Sequence, residues 1–123
     1  MKKLVLISGS GRGLGSSIAR SFVNAGYSVA INYMKSGKQA DNLSNELGEN
    51  ASAFKADITD KSQVLSMLSD IKNIFNDSPS ILINNAMTDY VFNGDARKFA
   101  DEISWKEISD HLDVTLKGSL NLI

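Results

Sequence analysis

Leu4-Val5-Leu6-Ile7-Ser8-Gly9-Ser10-Gly11-Arg12-Gly13-Leu14-Gly15 is the stretch that decides the fold. An unbroken apolar run suits a strand buried on both faces. It gives way to glycines, after which Leu14, Ile18, Phe22 and Val23 recur at helical spacing. A strand that breaks into glycines and then opens a helix is how α/β folds hold a nucleotide phosphate. Gly9 is placed for the tight turn, Gly13 for approach of the backbone to a pyrophosphate, and Gly15 for close packing of helix on strand. The helix start adds unmatched N–H groups and a partial positive charge. Ser10, Arg12 and Leu14, interleaved with these glycines, belong to the same candidate site.

The composition is consistent with that reading and excludes others. At 123 residues, 42% hydrophobic and 22% charged, the chain suits one globular domain rather than a disordered segment. A net charge of −1 gives no electrostatic case for nucleic acid or an anionic membrane. Cysteine is absent, which rules out disulfides and thiolate metal sites and is compatible with a reducing cytoplasm, the expected location. The apolar run after Lys2-Lys3 is too short for a signal peptide, and no stretch approaches a membrane span.

Strand and helix signals alternate along the rest of the chain. Gly26 stops the first helix, and Val29-Ala30-Ile31 forms a second strand ending at Asn32-Tyr33. Ser36 and Gln39 have capping-box spacing ahead of the stripe Ala40, Leu43, Leu47. A third strand is expected at residues 52–56. Asp60 and Gln63 cap a helix with Val64, Leu68, Ile71 and Phe75 on one face. Residues 80–83 form a fourth strand after the only proline, Pro79. Residues 87–101 read as a loop with a turn at Asn93-Gly94-Asp95. Ser104 and Glu107 make a second capping box, with Ile108, Leu112 and Leu116 carrying a helix to the end. The order is βαβαβαβα, which favours a parallel sheet with helices on both faces.

The informative residues all fall just past strand ends: Gly9–Gly15, Asn32–Lys35, Asp57-Ile58 and Asn84–Met87. Ligands bind at that rim in such sheets. With these runs in place the chain resembles the short-chain dehydrogenase/reductase family along its whole length. The family's Thr-Gly-x-x-x-Gly-x-Gly stands here as Ser8-Gly9-x-x-x-Gly13-Leu14-Gly15. Asn84-Asn85-Ala86-Met87 matches its Asn-Asn-Ala-Gly, with Met87 for glycine. Asp113-Val114-Thr115-Leu116-Lys117-Gly118 matches its Asp-Val-Asn-Leu-x-Gly, with Thr115 for asparagine. In general type it resembles the bacterial 3-oxoacyl-(acyl carrier protein) reductases.

The resemblance implies a Rossmann-type doubly wound parallel sheet, truncated, in strand order 3-2-1-4. Residues 1–123 would be a dinucleotide-binding domain, the N-terminal half of the family fold. It implies cofactor contacts from Gly9, Ser10, Arg12, Gly13, Leu14, Gly15, Asn32, Tyr33, Asp57, Ile58, Asn85 and Ala86. Asp57 would hold the adenine amino group, and the Asn85-Ala86 backbone would meet the nicotinamide ribose. Alternative readings stand beside these: Asp57 as a turn residue flanking a helix, Asn84 as an amide tie at the sheet's rim, and Arg12 and Lys35 as ordinary solvated charges.

Cofactor choice has its own argument. An NAD site commonly ends its second strand in a carboxylate. Here that region reads Asn32-Tyr33-Met34-Lys35-Ser36, with no acid, while Arg12 precedes Gly13. NADP is therefore expected, with Arg12, aided by Lys35 and Ser36, on its 2′-phosphate. The substrate implied is a 3-oxoacyl thioester or similar ketone, as in fatty acid biosynthesis, and only in a complete protein. The family's Tyr-x-x-x-Lys pair and its serine are not in the chain: Tyr27, Tyr33 and Tyr90 each lack a lysine four residues on. No catalytic residue is assigned, and the chain alone is expected to be inactive.

Two further readings differ in class. One is an inactive cofactor-binding or self-associating module, pairing through strand 81–84 or helix 104–123, either with itself or with a C-terminal half. The other is a nucleotide fold unrelated to reductases. His111 reads as a surface or packing residue and Trp105 as a core or interface anchor. One histidine among scattered acids makes no metal cluster.

Overall fold

β1 (Leu4–Ile7) lies between its two partner strands, and the burial of its side chains on both sides organises the molecule. The computed structural model describes residues 2–88, 94 and 97–123. In chain order the elements are β1, α1 (Gly13–Asn24), β2 (Ser28–Tyr33), α2 (Gly37–Leu47), β3 (Ala51–Lys55), α3 (Lys61–Phe75), β4 (Ile81–Ile83) and α4 (Trp105–Leu112). A π-helical stretch, Asp113–Gly118, leads from α4 into a final turn, α5 (Ser119–Leu122). All strand pairs are parallel and the order is β3-β2-β1-β4. This is the doubly wound order expected from the resemblance. Register runs Leu4↔Ser28 to Ile7↔Ile31 on one side of β1 and Val5↔Ile81 to Ile7↔Ile83 on the other.

Side chains alternate between sheet faces, so one apolar run feeds two cores. Val5 and Ile7 pack with Val29 and Ile31 against Ala19 of α1 and Ala40 and Leu43 of α2. Leu4 and Leu6 pack with Ala30 and Phe54 against Val64, Met67 and Ile71 of α3, and against Leu122 of α5. Each large side chain buried this way contributes about 1.5–3 kcal/mol. Gly118 lets the π-helical stretch close on this second core: a Cβ there would lie 2.6 Å from the Ile58 Cδ1 atom.

Side-chain caps explain where α3 and α4 begin. The Asp60 carboxylate accepts from the backbone N–H groups of Ser62 and Gln63, starting α3. Hydrogen bonds from the Ser62 hydroxyl and the Gln63 amide hold its pKa below the ordinary value. At α4 the expected box forms: Ser104 Oγ accepts from the Glu107 N–H, and Glu107 accepts from the Ser104 N–H at 2.8 Å.

Several expectations need correction. Ser36 is the N-cap of α2, but its side chain makes no capping bond, so no Ser36–Gln39 box forms. β3 runs over residues 51–55, one earlier than expected, because it pairs in register with β2 from Val29↔Ala51. Leu14 is not on the packed face of α1; it is 72% exposed. On the last helix Ile108, Leu112 and Leu116 are also exposed, and burial there falls to Gly118 and Leu122 instead. Trp105 is exposed too, which removes the core reading for it. Met67, unmarked in the expected stripe of α3, is buried, whereas Leu68 and Phe75 only flank the core. In the expected 87–101 loop, a 3-10 turn forms at Ala100–Glu102, while the turn at Asn93 and Asp95 lies outside the described residues.

The α4 cap carries a pH signature. The Lys98 ammonium, 2.6 Å from Glu107 Oε1, with the Ser104 N–H and hydroxyl, holds the Glu107 carboxyl at about 2 instead of 4.5. A depressed carboxyl stabilises fully above its ordinary value and loses that contribution as pH falls through its folded value. The Glu107 side-chain carbonyl signal in NMR is therefore expected to titrate near pH 2, and Lys98→Ala to move the midpoint up toward 4.5. A wild-type midpoint at the ordinary value would contradict this geometry.

Candidate functional site

The turn after β1 is fixed by bonds from three strands. Ser8 N–H donates to the Ile83 carbonyl at 3.1 Å, and Ser10 N–H to the Asn32 carbonyl at 2.9 Å. The buried Ser10 hydroxyl donates back to the Ile7 carbonyl at 2.7 Å. Gly9 N–H donates to Asn32 Oδ1. Gly9 and Gly13 have φ of +61° and +59°, the left-handed region that glycine alone enters readily. A Cβ on Gly9 would lie 2.8 Å from Ala86 Cα, and one on Gly15 would lie 2.6 Å from Asn85 Nδ2 and 2.7 Å from the Gly9 carbonyl oxygen. Gly13 differs: no atom lies within 4 Å of a Cβ built there. Two glycines thus pack the turn against β4 and α1, and a third faces open space. That is the fit a diphosphate needs, with backbone on one side and room on the other. Arg12 is the extended N-cap of α1 and its side chain does not cap the helix, so no N-cap side chain covers the first-turn N–H groups.

The ends of β2 and β3 sit beside this turn. Asn32 is buried, with its carbonyl oxygen on Gly9 N–H and its amide donating to Ala56 O at 3.2 Å. It acts as a brace between β1, β2 and the segment after β3. Asp57 Oδ1 accepts from the Thr59 N–H at 3.0 Å and the Thr59 hydroxyl at 2.7 Å, so the carboxylate is oriented by a local turn while lining the cleft. Ile58 is buried against Gly118.

At the end of β4 only one of the two asparagines ties the sheet's rim. Asn84 is exposed, and Asn85 is the amide tie. Asn85 Nδ2 donates to the carbonyls of Ser8 and Gly9, both at 3.1 Å. The backbone N–H groups of Asn85 and Ala86 donate to the Ser8 hydroxyl, each at 3.0 Å. The hydroxyl kept at position 8 is therefore the hub joining β1 to β4.

These strand ends open on one cleft of about 1410 Å³. Of the expected site residues, Gly9, Arg12, Gly13, Leu14, Gly15, Asn32, Tyr33, Asp57, Ile58, Asn85 and Ala86 line it, whereas Ser10 is behind the wall. Lys35, Ser36 and Met87 line it too. The volume exceeds the ~300–1,000 Å³ of an ordinary small-molecule pocket. Sequence reasoning missed Thr88 and His111, which hydrogen-bond to each other across the cleft. The available signal was spacing: Glu107, His111 and Val114 share one helix face, and all three line the cleft. Among the described residues no cluster of His, Asp and Glu is arranged to hold a metal, and no helix is long and apolar enough to cross a membrane.

A family model described as short chain dehydrogenase matches residues 3–123. A 3-oxoacyl-(acyl-carrier-protein) reductase of Staphylococcus aureus is 32% identical, over all of this chain and 48% of its own length. A probable 2,4-dienoyl-CoA reductase of Caenorhabditis elegans is 29% identical over 98% of this chain and 38% of its own. Among solved structures, a 3-ketoacyl-(acyl-carrier-protein) reductase of Brucella melitensis complexed with NADH superposes with a TM-score of 0.86 at 26% identity, covering 98% of this chain and 46% of that one. The chain spans about half the length of the reductases from Staphylococcus and Brucella. The family match sets aside the reading of a nucleotide fold unrelated to reductases.

The close approach at Gly15 has a measurable consequence. Gly15→Ala must push backbone aside at the β1 turn, and a loss of about 1–3 kcal/mol is expected in urea unfolding. Asn85→Ala leaves two carbonyls without their amide donor and should cost about 1–3 kcal/mol. Wild-type midpoints for both variants would contradict the close packing of this turn.

Proposed function

Because the chain belongs to the short chain dehydrogenase family, we propose that residues 1–123 form the cofactor-binding half of an NADP(H)-dependent reductase acting on a 3-oxoacyl thioester or a similar ketone. The observation that carries this reading is the glycine turn, open at Gly13 and closed against β4 at Gly9 and Gly15. In this reading the turn's backbone and the first-turn N–H groups of α1 hold the diphosphate, since the helix start favours an anion. Asp57, oriented by Thr59, accepts from the adenine amino group. Arg12 and Lys35 line the same cleft as the end of β2, whose residues 32–36 include no acid, and that composition supports the 2′-phosphorylated form. Ser10 and Asn32 act from behind, holding the turn in shape. Tyr33, Leu14, Ile58 and Ala86 supply apolar wall. Bound there, the cofactor supplies a hydride to a carbonyl carbon.

Calorimetric titration tests the cofactor assignment. NADPH is expected to bind at least about tenfold more tightly than NADH, the discrimination a charge-assisted contact provides, and Arg12→Ala to remove most of that preference. An unchanged preference in the variant would reject Arg12 as the 2′-phosphate contact.

Catalysis by this chain alone is a separate question. The proton-donating tyrosine and its lysine have no counterpart in its 123 residues, so NADPH oxidation with acetoacetyl thioester is expected to stay at background. Ordinary turnover would refute that expectation.

A second reading, self-association, has its own observation. Trp105, Ile108, Leu112, Leu116 and Leu120 are all exposed along the last helical segment, and β4 pairs only with β1 among the described residues. Open edges and apolar faces favour pairing with another chain. Light scattering after sizing is expected to give a mass above that of one chain, and Leu116→Lys with Leu120→Lys to lower it. A wild-type monomer at micromolar concentration would dismiss self-association.

A further inference from the structure

We propose that Gly11 is a specificity-determining residue, which sets the preference between the two nicotinamide cofactors by where it lets the Ser36 hydroxyl stand. The proposal rests on the NADP(H) reading above and deepens it. Gly11 lies among the glycines that shape the turn, yet it differs from them. Its φ falls outside the left-handed region that Gly9 and Gly13 occupy, so backbone conformation does not call for glycine there. Space does. Gly11 is buried, and a Cβ built on it would lie 2.7 Å from Ser36 Oγ, 3.1 Å from Ala40 Cβ and 3.4 Å from the Ser36 carbonyl oxygen. All three atoms belong to the start of α2. Gly11 is thus the point where the glycine turn touches the corner between β2 and α2.

That corner lines the cleft with Lys35 and Ser36, beside Arg12. Ser36 is the N-cap of α2, and its carbonyl accepts the Ala40 N–H at 2.9 Å, but its hydroxyl makes no capping bond. Asp60 and Ser104 do spend their side chains on their helices. The Ser36 hydroxyl lies over Gly11 instead, and its proton is not committed to the helix. The other side of the corner is closed in the same way, since a Cβ on Gly37 would lie 3.3 Å from Tyr33 Cε2. A methyl group at position 11 would therefore meet a corner with little slack. Ala40 is packed in the core with Val5, Ile7 and Leu43 and gives way little, so the Ser36 hydroxyl is the group that must turn aside. A 2′-phosphate gains a charge-assisted hydrogen bond from that hydroxyl, and a ribose 2′-hydroxyl gains much less. The glycine at position 11 consequently counts for one cofactor more than for the other.

Titration of NADPH and NADH into four chains (wild type, Gly11→Ala, Ser36→Ala and the double variant) reads this as a ratio of affinities. Gly11→Ala is expected to lower the NADPH-over-NADH ratio about three- to tenfold, the scale of one hydrogen bond. Ser36→Ala should lower it by a similar factor. The double variant should match Ser36→Ala, because the hydroxyl that the new methyl group displaces is already gone. Loss of packing alone would weaken both cofactors alike and leave the ratio where it was. An unchanged ratio in either single variant, equal weakening of both cofactors by Gly11→Ala, or a further fall of the ratio in the double variant overturns the proposal and leaves the NADP(H) reading standing. A Gly11→Ala chain that unfolds assigns Gly11 to packing and overturns it too. If the wild-type chain binds both cofactors alike, or binds neither, the NADP(H) reading falls with it.

Discussion

Everything in this structure follows from how closely the turn after β1 approaches the end of β4. Backbone meets backbone there with no side chain between, at Gly9 against Ala86 and at Gly15 against the Gly9 carbonyl. Such an approach removes water from several polar groups, and each must find a partner. The Ser8 hydroxyl and the Asn85 amide meet that demand by binding two N–H groups and two carbonyls between them. Asn32 does the same from the β2 side. The cradle is held by its own polar atoms, and of its three glycines only Gly13 has open space where a Cβ would stand.

That arrangement divides the labour between residues facing the cleft and residues behind it. Ser8, Ser10, Asn32 and the Asn85 amide are spent on protein contacts. Facing the cleft are the backbone at Gly13 to Gly15, the side chains of Arg12 and Lys35, Asp57 with its Thr59 bonds, and the Thr88–His111 pair.

The last helical segment follows a different logic. Gly118 is buried because its missing side chain lets the π-helical stretch reach Ile58, and Leu122 follows it into the core. The six-residue π-helical stretch carries the chain from the start of the segment to this buried end. The apolar stripe that periodicity marked, Ile108, Leu112 and Leu116, consequently points away from the sheet. Helical spacing identifies an apolar face; it does not say what covers that face.

By itself the sequence determined the alternation of elements, their parallel arrangement, and the meeting of the strand-end runs at the glycine turn. These rest on local rules: an apolar run of strand length, glycines where a turn needs them, and Ser104-x-x-Glu107 at a helix start. Tertiary structure decided which polar side chains are structural and which face the cleft. Asn84 and Asn85 are adjacent and chemically identical, yet only Asn85 reaches the carbonyls of the β1 turn, since neighbouring side chains leave the backbone in opposite directions. Thr88 and His111 stand 23 residues apart in the chain and meet only because the fold brings the segment after β4 beside α4. Proximity of that kind comes from packing, and no local pattern records it.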